Sequence, residues 1–415
     1  MSALAVGLAV FSLLAIYPFA LYPLSLLLIP RVREESQASP WIRPPIAVCM
    51  SAYNEEKVIV EKVESLLAMA RAYGPAEVLV FVDGAEDCTA ELLQPYADRI
   101  RLTVSSGRNG KTAGLNHLVG QTDAPLLVFT DANVRCPIDA LIRLAHHFRD
   151  PSIGCVSASL DYDVDDEVAG VGAAYWSVEE AIKRRESDTI GLVGVDGALF
   201  AIDRSLYEPP PNHLIDDLYV SLLALASGRR VISDRLLRVR ERGAARWAEE
   251  LTRKRRIACQ AWRVHAALWP RLRRLPAPRL YGYCVHRVLK WLSPFAVALA
   301  LDCALGLLAA KAGWPMAIGL LTGVALLWAG GARLGVPLCR SLGAVAVSFV
   351  GVGLGGIDAL LTDRTYTVWT PAASVRDIEP AGEGGSGEAE TMRRVAPRAG
   401  LEPATSRLTA DCSTN

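Results

Sequence analysis

Four long stretches with almost no charge set the outline of this chain. Residues 1–30 carry no charged side chain, and residues 291–310, 312–332 and 334–361 are apolar runs divided by little more than Lys311 and Arg333. About 20 apolar helical residues cross a bilayer, so each run is long enough. Residues 1–30 lack the basic start and the small-residue cleavage site of a signal peptide, so a retained anchor is expected, kinked or ended at the interface by Pro18 and Pro23. Arg31 and Arg33 follow at once, which puts the next segment on the cytoplasmic side. The 51% hydrophobic content and mean hydropathy of +0.24 fit a chain with membrane segments and a globular part. Lys+Arg and Asp+Glu balance at 44 each, so no charge excess speaks for a nucleic-acid partner. The absence of any CxxC or HExxH pattern argues against a zinc site.

Between the apolar stretches the pattern changes. Residues 36–45 form a polar, proline-bearing linker. After it, short apolar runs at 46–51, 77–82, 126–130 and 154–159 read as strands buried on both faces, and 57–73, 111–121, 138–148 and 168–185 read as helices between them. That alternation predicts an α/β domain with a mainly parallel sheet. The expected division is an anchor at 1–30, a linker at 31–45, the α/β domain at 46–270, a basic juxtamembrane segment at 271–290, apolar helices at 291–361, a cytoplasmic segment at 362–380 and a disordered tail at 381–415.

Open parallel sheets bind ligands beyond the carboxyl ends of their strands, and polar clusters stand at those ends here. The first strand runs into Tyr53-Asn54-Glu55, the second into Asp83-Gly84 with Asp87-Cys88-Thr89, the third into Asp131-Ala132-Asn133, and Gly107 to Asn116 lies between the last two. Taken singly, Asp83-Gly84 reads as a turn and Asn54-Glu55 as a helix cap. Gly110-Lys111-Thr112 is not a P-loop, because Ser105 stands where that motif needs glycine; Lys111 can still meet phosphate as a point charge. A carboxylate such as Asp131, with Asn133 as a weaker ligand, suits Mg²⁺ or Mn²⁺ bridging a diphosphate.

Together these clusters resemble those of family 2 glycosyltransferases, the membrane-anchored GT-A enzymes that include cellulose, hyaluronan and poly-N-acetylglucosamine synthases. The likeness is to exopolysaccharide-type members in particular, and it runs from Pro45 to Trp262. It implies a GT-A fold, a Rossmann-like mainly parallel sheet joined to transmembrane helices. Tyr53, Asn54, Glu55, Asp83, Asp87, Lys111, Asp131 and Asn133 are implied to hold the nucleotide sugar, with Asp131 and Asn133 on the metal. Tyr175-Trp176 with Glu179, Glu180 and Glu186 is similar to a further subgroup pattern, and Gly194 to Phe200 resembles an acceptor-side glycine segment that includes Gly197. Asp216-Asp217 matches an acidic pair whose second member is the family's general base, which assigns that role to Asp217; a helix N-terminus is the alternative use of such a pair. Arg255, Arg256, Gln260 and Trp262 occupy the place of a QxxRW-type motif without its spacing, and are expected on the acceptor or diphosphate side.

From Arg229 to Lys290 there are 18 Lys+Arg against 4 Asp+Glu. Most of this run is expected to face anionic lipid, and Trp247, Trp262 and Trp269 with Leu251, Ile257 and Leu268 suggest an amphipathic interfacial helix. Residues 366–371 resemble a cytoplasmic segment that follows the membrane helices of related enzymes. The sequence thus points to an inverting glycosyltransferase of the inner membrane, multi-pass with a cytoplasmic catalytic domain. A UDP-sugar is the expected donor, and a polysaccharide or lipid-linked acceptor and polysaccharide export subunits are the expected partners. The alternative is a non-catalytic, nucleotide-binding membrane subunit of a polysaccharide assembly complex.

Overall fold

The computed structural model describes residues 2–32, 41–163, 169–242 and 247–368. Expectations for the tail, for residues 369–371, for most of the linker and for the side chains of Tyr175 and Trp176 lie outside what is described.

Seven strands form one sheet: β1 (Ile46–Ala52), β2 (Ala76–Asp83), β3 (Arg101–Ser105), β4 (Leu126–Thr130), β5 (Ile153–Asp163), β6 (Leu199–Asp203) and β7 (Arg230–Arg242). Their order is β3-β2-β1-β4-β6-β5-β7. The β1–β2, β1–β4, β2–β3 and β5–β7 pairings are parallel, while β6 runs antiparallel to both β4 and β5. The mainly parallel sheet expected is therefore present, with one reversed strand. β1 and β4 are apolar along their length because they are central and covered on both faces.

Helices α1 (Ser2–Ile16) and α2 (Leu21–Ser25) open the chain. In the α/β part come α3 (Ile59–Tyr73), α4 (Thr89–Leu93), α5 (Lys111–Val119), α6 (Ala140–His147), α7 (Ala169–Asp188) and α8 (Asp216–Ala226). After β7 follow α9 (Trp247–Leu272), α10 (Ala277–Tyr283), α11 (Lys290–Ala312), α12 (Trp314–Arg333) and α13 (Pro337–Leu361). α3 shows how a helix covers the sheet: Ile59, Val63, Leu66, Ala70 and Tyr73 recur at three- and four-residue spacing and are buried on one face. Gly74, at φ 111°, ends it. Val220, Leu222, Leu223 and Leu225 of α8 belong to a second core that includes Cys49, Leu79, Leu127 and Phe129.

The amino-terminal stretch is bent, as its prolines led one to expect: Ser2–Ile16 and Leu21–Leu28 meet at 65°, and taken together they are apolar enough for one broken span. Fifteen residues of α1 rise only about 22 Å, short of a ~30 Å hydrocarbon core. The basic run from Arg229 differs from expectation, because it is not chiefly a lipid-facing surface. Its first part is edge strand β7, with Val231, Ile232, Leu237 and Val239 buried and three of its arginines turned to acids: Arg238 lies 3.0 Å from Asp161, Arg230 3.7 Å from Asp150, and Arg235 meets Asp188. The second part, α9, buries Ala258, Cys259, Ala261, Trp262, Val264 and Leu268 against protein, leaving Trp247 and Trp269 outward. A side chain on Gly355 of α13 would sit 2.7 Å from the Ala258 Cβ, so glycine is what lets α13 lie this close to α9. Among the described residues three helical stretches, Ala277–Ala312, Trp314–Arg333 and Pro337–Leu361, are long and apolar enough to cross a membrane.

Candidate active site

The loops after β1 and β2 are tied to each other before they reach any ligand. Asn54, at φ 51°, accepts from the Glu86 N–H at 2.9 Å, and Asp87 accepts from the N–H groups of Glu56 and Thr89 at 3.1 and 3.0 Å. Both side chains therefore brace the loops and lie outside the cleft lining. Asp83 is 2% exposed. Its carboxylate accepts from the N–H groups of Asn109 and Gly110 at 2.6 and 3.0 Å, with Arg108 Nε at 3.4 Å. It thus fixes the loop that begins α5. The Arg108 guanidinium in turn covers the Tyr53 ring, 3.2 Å from its centroid.

That loop delivers Lys111 to the centre of a cleft of about 420 Å³. Lys111 Nζ is 2.7 Å from Asp131 Oδ1, at the end of β4, and 3.6 Å from Asp216 Oδ2. Asp216 and Asp217 open α8, where negative charge suits the helix N-terminus. They still face the cleft, and Asp217 Oδ1 accepts from the Leu218 N–H at 2.6 Å. Gly197 lies opposite: a Cβ there would fall 2.9 Å from Asp217 Oδ2 and 3.4 Å from Lys111 Nζ. Its missing side chain keeps open a gap between carboxylate and ammonium.

The charges disturb one another. Burial first, and the neighbouring Asp216 carboxylate second, push Asp217 up to about 7. Burial works against the charge on Lys111, but Asp131, Asp216 and Asp217 outweigh it and hold the ammonium protonated. Burial and then the Arg253 charge bring Arg256 down to about 10. Glu241, at the end of β7, is raised by burial and by Asp131, and accepts from Asn133 Nδ2 at 3.2 Å.

Tyr53, Glu55, Asp83, Lys111, Asp131, Asn133, Gly197, Asp216, Asp217, Arg256 and Gln260 all line this cleft. Arg255 and Trp262 do not. Arg255 points to Asp358 of α13 in a two-pronged ion pair of 2.6 and 2.7 Å, and Trp262 is packed against Trp291 and His265. Gln260 donates to the Tyr366 carbonyl at 3.2 Å, and Tyr366 and Thr367 also line the cleft. The Thr367 carbonyl sits so near Gly110 (φ 92°) that no Cβ fits between them.

Glu241, Arg108 and Lys183 are lining residues that sequence reasoning passed over. Glu241 had one usable signal, its place at the end of an alternating strand hidden within a basic run. Glu179 lines the far wall, 2.6 Å from Lys290 Nζ and 3.1 Å from His286, and His286 also meets the buried Glu186 at 2.7 Å. Among the described residues no three acidic, histidine or cysteine side chains converge as a ready-made metal cage. Asp131, with Glu241 and Asn133 beside it, nonetheless fits Mg²⁺ or Mn²⁺, ions that take one or two carboxylates and complete their shell from phosphate and water.

Residues 47–209 match the family model of Glycosyl transferase family 2. An N-acetylglucosaminyltransferase of Rhizobium leguminosarum bv. viciae is 22% identical over 206 residues, 45% of this chain and 48% of that protein. A beta-monoglucosyldiacylglycerol synthase of Synechocystis sp. is 26% identical over 139 residues, 32% of this chain and 28% of that protein. The chain thus spans half or less of these relatives. Among solved structures, the mannosyltransferase PcManGT from Pyrobaculum calidifontis, in complex with GDP-Man and Mn²⁺, aligns with a TM-score of 0.67 at 21% identity over 87% of this chain and all of that one. The match to Glycosyl transferase family 2 thus lies on residues 47–209, within a seven-stranded mixed α/β sheet of the GT-A fold.

Proposed function

We propose that this protein transfers a sugar from a nucleotide sugar to an acceptor hydroxyl in a single, inverting displacement. The observation that carries the reading is the meeting of Asp131, Lys111 and Asp217 across the gap left by Gly197. Tyr53 and Glu55 meet the nucleotide, and Asp83 holds the loop that presents Lys111. Asp217 takes the proton from the attacking hydroxyl, a task that needs a carboxylate titrating near neutrality. Arg256 and Lys111 stabilise the charge that grows on the leaving diphosphate. Asp131, with Asn133 and Glu241 near, would hold Mg²⁺ or Mn²⁺, which supplies charge neutralisation at that diphosphate when bound. The solved mannosyltransferase complex contains GDP-Man and Mn²⁺, which favours a nucleotide sugar and a divalent ion here.

In this reading residues 46–270 are the cytoplasmic catalytic unit, and the apolar helices hold it at the inner membrane. Residues 271–290 serve as the juxtamembrane connection, and the acceptor is a polysaccharide or a lipid-linked molecule. The test is nucleotide release by the full chain in nanodiscs, offering UDP- and GDP-sugars with Mg²⁺ or Mn²⁺ to wild type, D131A and D217N. Release from one donor, lost with EDTA and in both variants, is the expected result. Donor binding without release by wild type, across all donors, would instead favour the non-catalytic subunit.

A further inference from the structure

Asp131, Ala132 and Asn133 line the cleft, but the turn they form is poorly held by its own backbone. The Asp131 N–H reaches the Ala198 carbonyl, and the Val134 N–H the Asp131 carbonyl, only at 3.4 Å, beyond the ordinary range of about 2.7–3.2 Å. The backbone bridge between Arg135 and Arg240 anchors the chain only after the turn has closed. What fixes the turn lies behind it. Lys62 of α3 is 5% exposed and takes no part in the cleft lining. Its Nζ donates to Thr130 Oγ1 at 3.0 Å and to the Val134 carbonyl at 2.6 Å, with Cys136 Sγ at 3.8 Å. Thr130 and Val134 stand immediately before and after Asp131-Ala132-Asn133. One buried amine therefore ties the two flanks of the turn together. Thr130 Oγ1 in turn donates to the Ala198 carbonyl at 2.8 Å, which fastens that flank beside the start of β6.

A lysine is a costly residue to place here. Among the described residues its partners are a hydroxyl, a carbonyl and a thiol, with no carboxylate to pair the charge. Burial brings its ammonium down from the ordinary value, and Cys136, Asp131 and Glu241 work against that. An apolar side chain would fill the space without this cost, but it could not bridge both flanks of the turn. We propose that Lys62 is a positioning residue for divalent-metal binding: by clamping Thr130 to Val134 it keeps Asp131 and Asn133 aimed into the cleft. The inference rests on the transferase reading above, in which those two side chains hold Mg²⁺ or Mn²⁺. Without the clamp both would sample several directions, and the ion would have to order them as it bound. The effect should be confined to the metal. The loops after β1 and β2 and the loop that carries Lys111 are braced by Asn54, Asp87 and Asp83, without a bond to Lys62.

The experiment is an Mn²⁺ titration of the full chain in phosphatidylcholine nanodiscs, read by electron paramagnetic resonance with saturating UDP or GDP. It compares wild type, Lys62→Met, Thr130→Val, the double variant and D131A, which gives the baseline for Mn²⁺ held by free nucleotide. Methionine keeps an unbranched buried chain and loses the donors; valine keeps the shape of threonine and loses the oxygen. Lys62→Met should weaken Mn²⁺ binding at least tenfold and Thr130→Val at least threefold. The threonine change should matter less once Lys62 is gone. Nucleotide release by the single variants should return to within about threefold of wild type as Mn²⁺ is raised. Unchanged Mn²⁺ affinity in Lys62→Met, even with a lowered unfolding temperature, would overturn the inference and leave Lys62 a packing residue only. Should that variant fail to fold, unchanged affinity in Thr130→Val has the same force. Wild type that binds Mn²⁺ no better than D131A would be a different failure, sinking the metal assignment of the transferase reading itself.

Discussion

Asp217→Asn should abolish transfer and stabilise the protein, with a stabilisation that depends on pH. A carboxyl that titrates near pH 7 in the fold, against an ordinary value of 3.8, is protonated more readily folded than unfolded. Below about pH 4 both states hold the proton and the group costs nothing. From there to pH 7 the unfolded chain is ionised while the fold keeps its proton, so stability falls as pH rises; above pH 7 the loss is constant. At about 1.4 kcal/mol per pH unit the full cost is roughly 4 kcal/mol, of which about 2.5 kcal/mol develops between pH 5 and pH 8. Asparagine carries none of this but gives up the attraction of Lys111 and keeps an oxygen for the Leu218 N–H. The variant should therefore gain about 1–2 kcal/mol on wild type between pH 5 and pH 8, or ~2–5 °C in apparent unfolding temperature for a domain of this size. Thermal unfolding of the full chain in one detergent, from pH 5 to pH 8.5, measures it. An offset between variant and wild type that does not change with pH would refute the reasoning, because it would mean that Asp217 is not held in a charge-disfavouring place.

The same carboxyl fixes the pH dependence of activity: kcat/KM should rise about tenfold per pH unit below 7 and level off above it, as read from initial rates of nucleotide release. Gly197→Ala places a Cβ 2.9 Å from Asp217 Oδ2 at a position with no positive φ. It should lower kcat on the order of 10–100-fold with donor KM within about threefold and little change in unfolding temperature. Asp358→Ala removes the buried partner of Arg255 and of the Tyr366 hydroxyl at 3.0 Å. It should destabilise the contact between α9 and α13 by about 2–3 kcal/mol, measured as a lower unfolding temperature than that of Arg255→Ala, whose side chain is a third exposed.

How much of this could be read from the sequence follows from how local each signal is. β1 and β4 are apolar over five to seven residues and end in Tyr53-Asn54-Glu55 and Asp131-Ala132-Asn133, so strand, strand end and polar cluster lie within one short window. The donor half was legible for that reason. β7 was not, because its buried Val231, Ile232, Leu237 and Val239 alternate with arginines whose partners Asp150, Asp161 and Asp188 are 47 or more residues away in sequence. With the strand went Glu241 at its end. Arg255 and Trp262 carried the chemistry expected of a ligand-binding stretch, yet a helix turns only part of its circumference to any one neighbour. α9 gives Arg256 and Gln260 to the cleft, and turns Arg255 and Trp262 to α13 and Trp291. That choice depends on where α13 packs, and α13 begins 65 residues after α9 ends.

The boundary of the family match runs through the cleft lining. Residues 47–209 contain Tyr53, Glu55, Asp83, Lys111, Asp131 and Asn133, the side chains proposed above to face a nucleotide and its diphosphate, together with Glu179, Lys183, Asp196 and Gly197. Asp216, Asp217, Glu241, Arg256, Gln260, Arg287, Lys290, Trp291, Val352 and Tyr366 all line the same cleft and all lie after residue 209. In the proposed reading the matched residues hold the activated sugar, and the rest of the wall combines α7 from within the match with α8, β7, α9 and the apolar helices beyond it. It also locates specificity physically. In that reading, exchanging donor-side residues should change which nucleotide sugar turns over, while exchanging residues on α7 or at the start of α11, where Glu179, Lys183 and Lys290 line the same cleft, should change which acceptor is used.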